Sequence, residues 1–330
     1  MLKKENIFSN SLSEDAFREA ALQTFRFQYG HNSVYREWAS LLKVDPPQVS
    51  EVEEIPFLPI EFFKSRPVVS TPVHNDTVRF TSSATTSQTP ATHFVNDLSW
   101  YEESFLKGFE LFYGKPSEYC ILALLPNYLQ RGGSSLVYMC ERLIRESQHR
   151  FSGFFLDAMD DLKEKIRLLN RSGQKTLLIG VSYALMDLCE NGLHLNSNFI
   201  VMETGGMKGR RKEMLKPELH AYLKKGFRTQ SIHSEYGMTE LLSQAYSRSN
   251  GEFESPPWLR FLVREVTDPL KIRQDGKTGG INVIDLANQH SCAFIATKDL
   301  GRITERNTLE LMGRYDNSDI RGCNLLLGEF

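Results

Sequence analysis

The sequence predicts an α/β protein in which mainly parallel sheet, flanked by helices, is joined to a smaller antiparallel or barrel-like subdomain. Two observations carry this. Between residues 121 and 234, short apolar runs alternate with helical patterns, the order that builds a parallel sheet covered on both faces. Beyond Trp258 the pattern changes to shorter strands separated by turns. A chain of 330 residues with 41% hydrophobic and 24% charged residues can form one large domain or two ordinary ones.

The elements follow in order. Ser13, with Glu14 and Asp15 behind it, caps a helix over 11–22, and 25–42 continues in helical style. Prolines at 46, 47, 56, 59, 67 and 72 make 44–72 an extended connector with at most a short helix at 60–64. Residues 77–80 read as a strand. Leu98, Tyr101, Phe105, Phe109 and Phe112 mark one apolar face of a helix. Strands are expected at 121–126, 176–182, 198–203 and 229–234, and helices at 134–146, 159–170, 184–191 and 212–225. The last part has strands at 261–266, 280–285 and 293–297. The divisions expected are 1–75, helical and proline-rich and packed on the core, then 76–257, the α/β core, then 258–330, β-rich.

Bulk properties exclude several classes. A formal net charge of −2 gives no electrostatic case for nucleic acid or an anionic membrane. The longest apolar run, 121–126, is far below a membrane span, and the first ten residues lack the apolar stretch of a secretory signal. Five cysteines, widely spaced and without a CxxC pair, argue against a disulfide framework and a zinc site. The expectation is a cytoplasmic protein with mostly buried thiols.

Residues 233–240, His-Ser-Glu-Tyr-Gly-Met-Thr-Glu, combine rings, a turn glycine, a hydroxyl and carboxylates in one short stretch. A nucleotide with its magnesium wants that mixture: a surface for the base, a donor for phosphate and a carboxylate for the cation. A helix N-terminus capped by Thr239 is a compatible reading, since helix N-termini bind anions. The run 81–89, Thr-Ser-Ser-Ala-Thr-Thr-Ser-Gln-Thr, offers Thr81, Ser82, Ser83, Thr85 and Thr86 as phosphate donors, or else is a solvated loop. Gly205 and Gly206, after a strand end, permit close backbone approach, and Lys208, Arg210 and Arg211 supply cations. Asp299 in Thr-Lys-Asp-Leu-Gly, and Arg314 in Gly-Arg-Tyr-Asp-Asn, follow at 297–301 and 313–317.

Taken in chain order, these segments resemble the motifs of adenylate-forming enzymes, which activate carboxylic acids with ATP. The wording at 202–214, 233–247, 279–287 and 318–327 is similar to one branch, the long-chain acyl-protein synthetases. The resemblance covers most of the chain and is weakest before about residue 75. It implies an adenylate-forming N-terminal-domain fold in which 76–257 binds nucleotide and acyl group. It implies ATP and Mg2+ as cofactors, a fatty acid as substrate, and an acyl-accepting reductase or other protein as partner.

By the resemblance, Tyr236 flanks adenine beside the turn at Gly237, Thr239 bonds the α-phosphate and Glu240 holds magnesium. Asp299 takes the ribose hydroxyls, and Arg314 contacts ribose or phosphate. Cys323, near the end, is the expected acyl acceptor. Two departures stand out. Ala84 and Ser87 replace both glycines of the family's phosphate loop, where a Cβ at a left-handed position costs about 1 kcal/mol. The sequence also stops directly after the last of these motifs, so no C-terminal lid is expected and a lid lysine's role would pass to a residue such as Lys208 or be absent. Two alternatives stay open: a scaffold on this fold that has lost ATP turnover, and an acyltransferase that uses a preformed thioester.

Overall fold

Four buried strands set the frame: Cys120–Leu124, Thr176–Val181, Phe199–Thr204 and His233–Tyr236 lie side by side and parallel, in that order. The computed structural model describes residues 1–82, 89–126, 133–190, 192–205, 211 and 214–314. Every residue of the first two strands is buried, as expected where helices cover both faces. Gly153–Phe154 extends one edge in parallel, and Ala245–Ser247 closes the other in antiparallel. Helices Leu98–Tyr113, Ser135–Ser147, Met159–Ser172, Ser182–Cys189 and Lys216–Phe227 alternate with these strands much as the periodicity predicts.

The second sheet is antiparallel in its main path. Its strands lie in the order Glu252–Phe253, Leu309–Arg314, Phe294–Ile303, Gly279–Asp285, Leu259–Arg264 and Ile272–Arg273. The two sheets meet at a two-hydrogen-bond bridge between Tyr246 and Glu254, 2.9 Å each way. Ser13 caps the first helix, Glu14–His31, as its sequence predicts, by accepting from the Ala16 amide. Asn32 then ends that helix and caps the next, Ser33–Leu41.

Several boundaries differ from expectation for local reasons. The helix ending at Phe227 is closed by Arg228 in the left-handed region, so the next strand starts at His233 instead of 229 and runs to Tyr236. Half of the 233–240 stretch is therefore strand. Leu58–Pro59, inside the proline-rich connector, pairs in parallel with Ile295–Ala296. Proline is tolerated there because the other side of that short strand has no partner in the described sheet. Thr92–Val95, which had no strand signal, pairs with Val78–Thr81 as a two-stranded ribbon.

No helix follows Thr239, so the capped N-terminus read from the sequence is corrected. Residues 237–244 turn back into Ala245–Ser247, and the amides of Leu242 and Ser243 donate to Asp285 at 2.7 and 3.0 Å. The same carboxylate accepts from the Ser243 hydroxyl at 2.6 Å and the Ala287 amide at 3.1 Å. Asp285 is fully buried, so removing its side chain would strand several donors away from water. Asp285→Ala is expected to lose at least about 3 kcal/mol of stability, measured by urea unfolding; a loss below about 1 kcal/mol would mean water replaces the carboxylate.

Candidate functional site

The parallel strands end together, and their carboxyl ends hold most of the described candidates. Thr204 closes one strand and pairs with Glu235 on the next. Gly205 follows with φ +66°, a left-handed turn that favours glycine and accepts a hydrogen bond from the Ser182 hydroxyl at 3.0 Å. Gly237 serves a different need. A Cβ there would stand 2.6 Å from the Glu235 carboxylate and would push that buried side chain aside.

Tyr236 and Asp299 are brought into contact from opposite sheets. The Tyr236 hydroxyl donates to Asp299 Oδ2 at 2.7 Å, while its ring packs edge-on against Phe253 and Phe261. Asp299 also pairs with Arg314, whose Nε lies 3.1 Å from Oδ1, and the two residues are register partners. The Asp299 segment is thus interior to the long strand Phe294–Ile303, whose shift in register at Leu300/Gly301 accommodates the glycine. Both Asp299 oxygens are engaged, so a ribose bound here would have to share or displace them.

Glu240 lies alongside this pair and is buried. Burial pushes its carboxyl up to about 7, against the opposing pull of its own backbone amide, Arg314 and Lys64. No other side chain among the described residues hydrogen-bonds this carboxylate. A cation there would offset its burial. Among the described residues no group of three or more His, Cys, Asp and Glu assembles into a metal site. Phosphate oxygens and water are the ligands a divalent ion on Glu240 would share with it. Lys64, on the short helix Phe62–Ser65, carried no signal in the sequence and makes no ion pair among the described residues.

The turn's carbonyls are held by residues that the sequence did not single out. His93 Nδ1 donates to the Thr239 carbonyl at 2.8 Å, and Asn288 Nδ2 donates to the Glu240 carbonyl at 2.8 Å. Thr81 and Ser82 stand at the end of the ribbon: the Thr81 amide donates to Gly133 O, and the Ser82 amide to Ala91 O. Ser83, Ala84, Thr85, Thr86 and Ser87 lie outside the described residues, as do Gly206, Lys208, Arg210 and Cys323. Arg211, offered as a phosphate cation, is instead paired with Asp187 and with Glu190 at 2.8 Å.

Two further carboxylates sit on the strand ends and behave oppositely. Burial raises Glu203, but His220, Lys216 and Ser234 outweigh it and hold the group below its ordinary value. Among the described residues Glu235 has only the Thr204 hydroxyl at 2.5 Å; burial, with Glu203 adding to it, pushes it up to about 7. A cleft of about 540 Å³ on the second sheet touches this site only through Phe261, and its Arg260 and Arg273 are already paired with Glu14 and Asp275.

A carboxyl raised in the folded state destabilises the fold as pH climbs from its unfolded value to its folded one. For Glu235 that window runs from 4.5 to about 7. Glu235→Gln should match the parent protein at pH 4 and be more stable at pH 8, by an amount on the order of 3 kcal/mol. Urea unfolding at the two pH values checks this; equal stability at pH 8 would contradict it.

Comparison with known proteins places the fold. The family model for "Acyl-protein synthetase, LuxE" matches residues 5–104, largely the segment where the motifs are weakest. A long-chain-fatty-acid–luciferin-component ligase of Vibrio harveyi is 22% identical over 341 residues, covering 92% of this chain and 85% of the relative. A 2-hydroxyisobutyryl-CoA ligase in an open conformation, in complex with 2-HIB-AMP and CoA, superimposes with a TM-score of 0.66 at 12% identity. That match covers 92% of this chain and 70% of the other. ATP-bound MatB from Rhodopseudomonas palustris gives a TM-score of 0.52 at 18% identity, covering 72% of this chain and 47% of the other. The chain has the fold of the adenylate-forming ligases. No helix among the described residues is long and apolar enough to cross a membrane.

Proposed function

We propose that this chain activates a fatty acid with ATP, forming acyl-AMP and pyrophosphate, and passes the acyl group to a protein thiol. The observation that carries the reading is the meeting of Tyr236, Asp299 and Arg314 beside the buried Glu240, at the carboxyl ends of the parallel strands. The acid class rests on the Vibrio harveyi relative, named as a long-chain-fatty-acid ligase, and on the acyl-protein synthetase family match.

In this reading the chain's own groups divide the work. Asp299, aligned by Tyr236 and Arg314, receives the ribose. The Thr239 hydroxyl, which makes no hydrogen bond among the described residues, is free to donate to the α-phosphate. Glu240 would hold magnesium, which would supply positive charge against the phosphates; the acid's carboxylate attacks the α-phosphorus and pyrophosphate leaves. Binding magnesium requires the Glu240 carboxylate to be ionised, so burial makes magnesium affinity rise with pH up to about 7.

The second step attacks the acyl carbonyl with a thiolate and releases AMP. Cys323 is the proposed nucleophile. The four described cysteines, Cys120, Cys140, Cys189 and Cys292, are all buried, and burial pushes each thiol above its ordinary value. A protein acceptor, such as a fatty-acid reductase, would then receive the acyl group.

Acid-dependent ATP–pyrophosphate exchange with magnesium, across fatty and aromatic acids, tests the first step. Long-chain acids should support exchange, and Glu240→Gln should reduce it by at least about a hundredfold, the scale expected for loss of a metal-anchoring carboxylate. Exchange unchanged by Glu240→Gln would reject this role. Cys323→Ser should keep exchange and lose the hydroxylamine-labile acyl-protein; persistent labelling would place the nucleophile elsewhere.

A further inference from the structure

His93 joins two parts of the site that are 146 residues apart in sequence. It lies on Thr92–Val95, the return strand of the ribbon whose other strand, Val78–Thr81, leads into the hydroxyl run. The imidazole is 1% exposed. Nδ1 faces the Thr239 carbonyl at 2.8 Å, and Nε2 lies 3.2 Å from Asn288 Oδ1. Asn288 in turn donates to the Glu240 carbonyl at 2.8 Å, and Phe63 packs edge-on against the imidazole at 5.7 Å. Two successive carbonyls of one turn are thus held by two neighbouring side chains, each through its own N–H.

We propose that His93 is a positioning residue for adenylation, fixing through its Nδ1–H the Thr239–Glu240 peptide against the hydroxyl-bearing ribbon. The inference rests on the function proposed above. The peptide between Thr239 and Glu240 sets the directions of a hydroxyl meant for phosphate and a carboxylate meant for magnesium. The ribbon leads into Thr81 and Ser82, the described hydroxyls offered as phosphate donors. A polyphosphate held between them needs the two sides at a fixed separation, and a small misplacement of reacting groups costs large factors in rate. Burial keeps the ring neutral, with its pKa lowered to about 4, so it has one N–H, and the close Thr239 carbonyl takes it. An uncharged positioner does not compete with the site's cations for phosphate.

A packing histidine would have a different signature. Its loss would lower stability and weaken ligand binding and turnover together. A positioning histidine should leave nucleoside binding intact, because Tyr236 and Asp299 do not touch it, and should depress turnover.

The test compares His93→Phe, His93→Asn and His93→Gln in the full chain, with folding checked by circular dichroism and thermal melting. Asparagine places an amide nitrogen where Nδ1 stands, whereas glutamine places one where Nε2 stands. His93→Phe is expected to lower kcat for acid-dependent exchange roughly tenfold to a hundredfold, the scale of one lost buried hydrogen bond, with adenosine affinity within about twofold. His93→Asn should recover most of that loss and His93→Gln little.

The second readout needs no turnover: the gain in ATP affinity on adding magnesium, by calorimetry, should follow the same order among the variants. Equal recovery by asparagine and glutamine would overturn the proposal, as would parallel losses in melting temperature, nucleoside affinity and kcat. If the parent protein shows no exchange with any acid, the proposed function fails, and the magnesium-dependent ATP affinity alone decides the role of His93. Absence of the predicted order there, or of ATP binding altogether, rejects it.

Discussion

A turn that neither helix nor ladder can satisfy governs this molecule. Between Tyr236 and Ala245 the backbone leaves one strand and returns on another, half-buried at 237–239 and buried from 240 on, and buried peptide groups must find partners. They find them in side chains from far away: Asp285 for the amides of Leu242 and Ser243, His93 for the Thr239 carbonyl, Asn288 for the Glu240 carbonyl. The two sheets and the ribbon are therefore joined by polar bonds at the place where the candidate chemistry lies. Side chains at such a turn are aimed by the fold as a whole.

The same setting explains the unusual electrostatics. Parallel strand ends bring carboxylates together without enough cations to match them. Glu203 is compensated by Lys216, His220 and Ser234 on one face. Glu235 and Glu240 are not, and burial raises both. Raised carboxyls lower stability near neutral pH, which is a cost commonly accepted at sites that bind charge. Glu240, close to Arg314 and Lys64, is placed to recover that cost when a cation arrives. Glu235 faces Tyr246 across the strand pair, in a pocket of aromatic side chains, with no such visitor in view.

Much of the fold was legible because it rests on periodicity. Alternating apolar runs and helices identify a parallel sheet from side-chain burial alone, and Ser13 caps its helix by a purely local rule. Tyr236, Asp299, Arg314 and Glu240 stood out as members of short polar motifs, and the fold brings the first three into contact. What was not legible depends on pairing between distant segments. Leu58–Pro59 becomes a strand only because Ile295–Ala296 is beside it. Thr239 heads no helix because Asp285 takes the amides that a helix would use. His93 and Asn288 have no local signal, since each acts on a carbonyl elsewhere in the chain. The family match over residues 5–104 has a similar lesson: that segment contributes packing helices and a connector whose few chemical cues read poorly by eye.

Calorimetry with a non-reactive acyl-adenylate mimic, an acyl-sulfamoyl adenosine, tests the central claim most directly, since it asks whether this turn and these strand ends bind the intermediate. The account predicts that the long-chain mimic binds at least about a hundredfold more tightly than adenosine, as an enzyme binds an intermediate it forms. No binding, or affinity equal to that of adenosine, would contradict it.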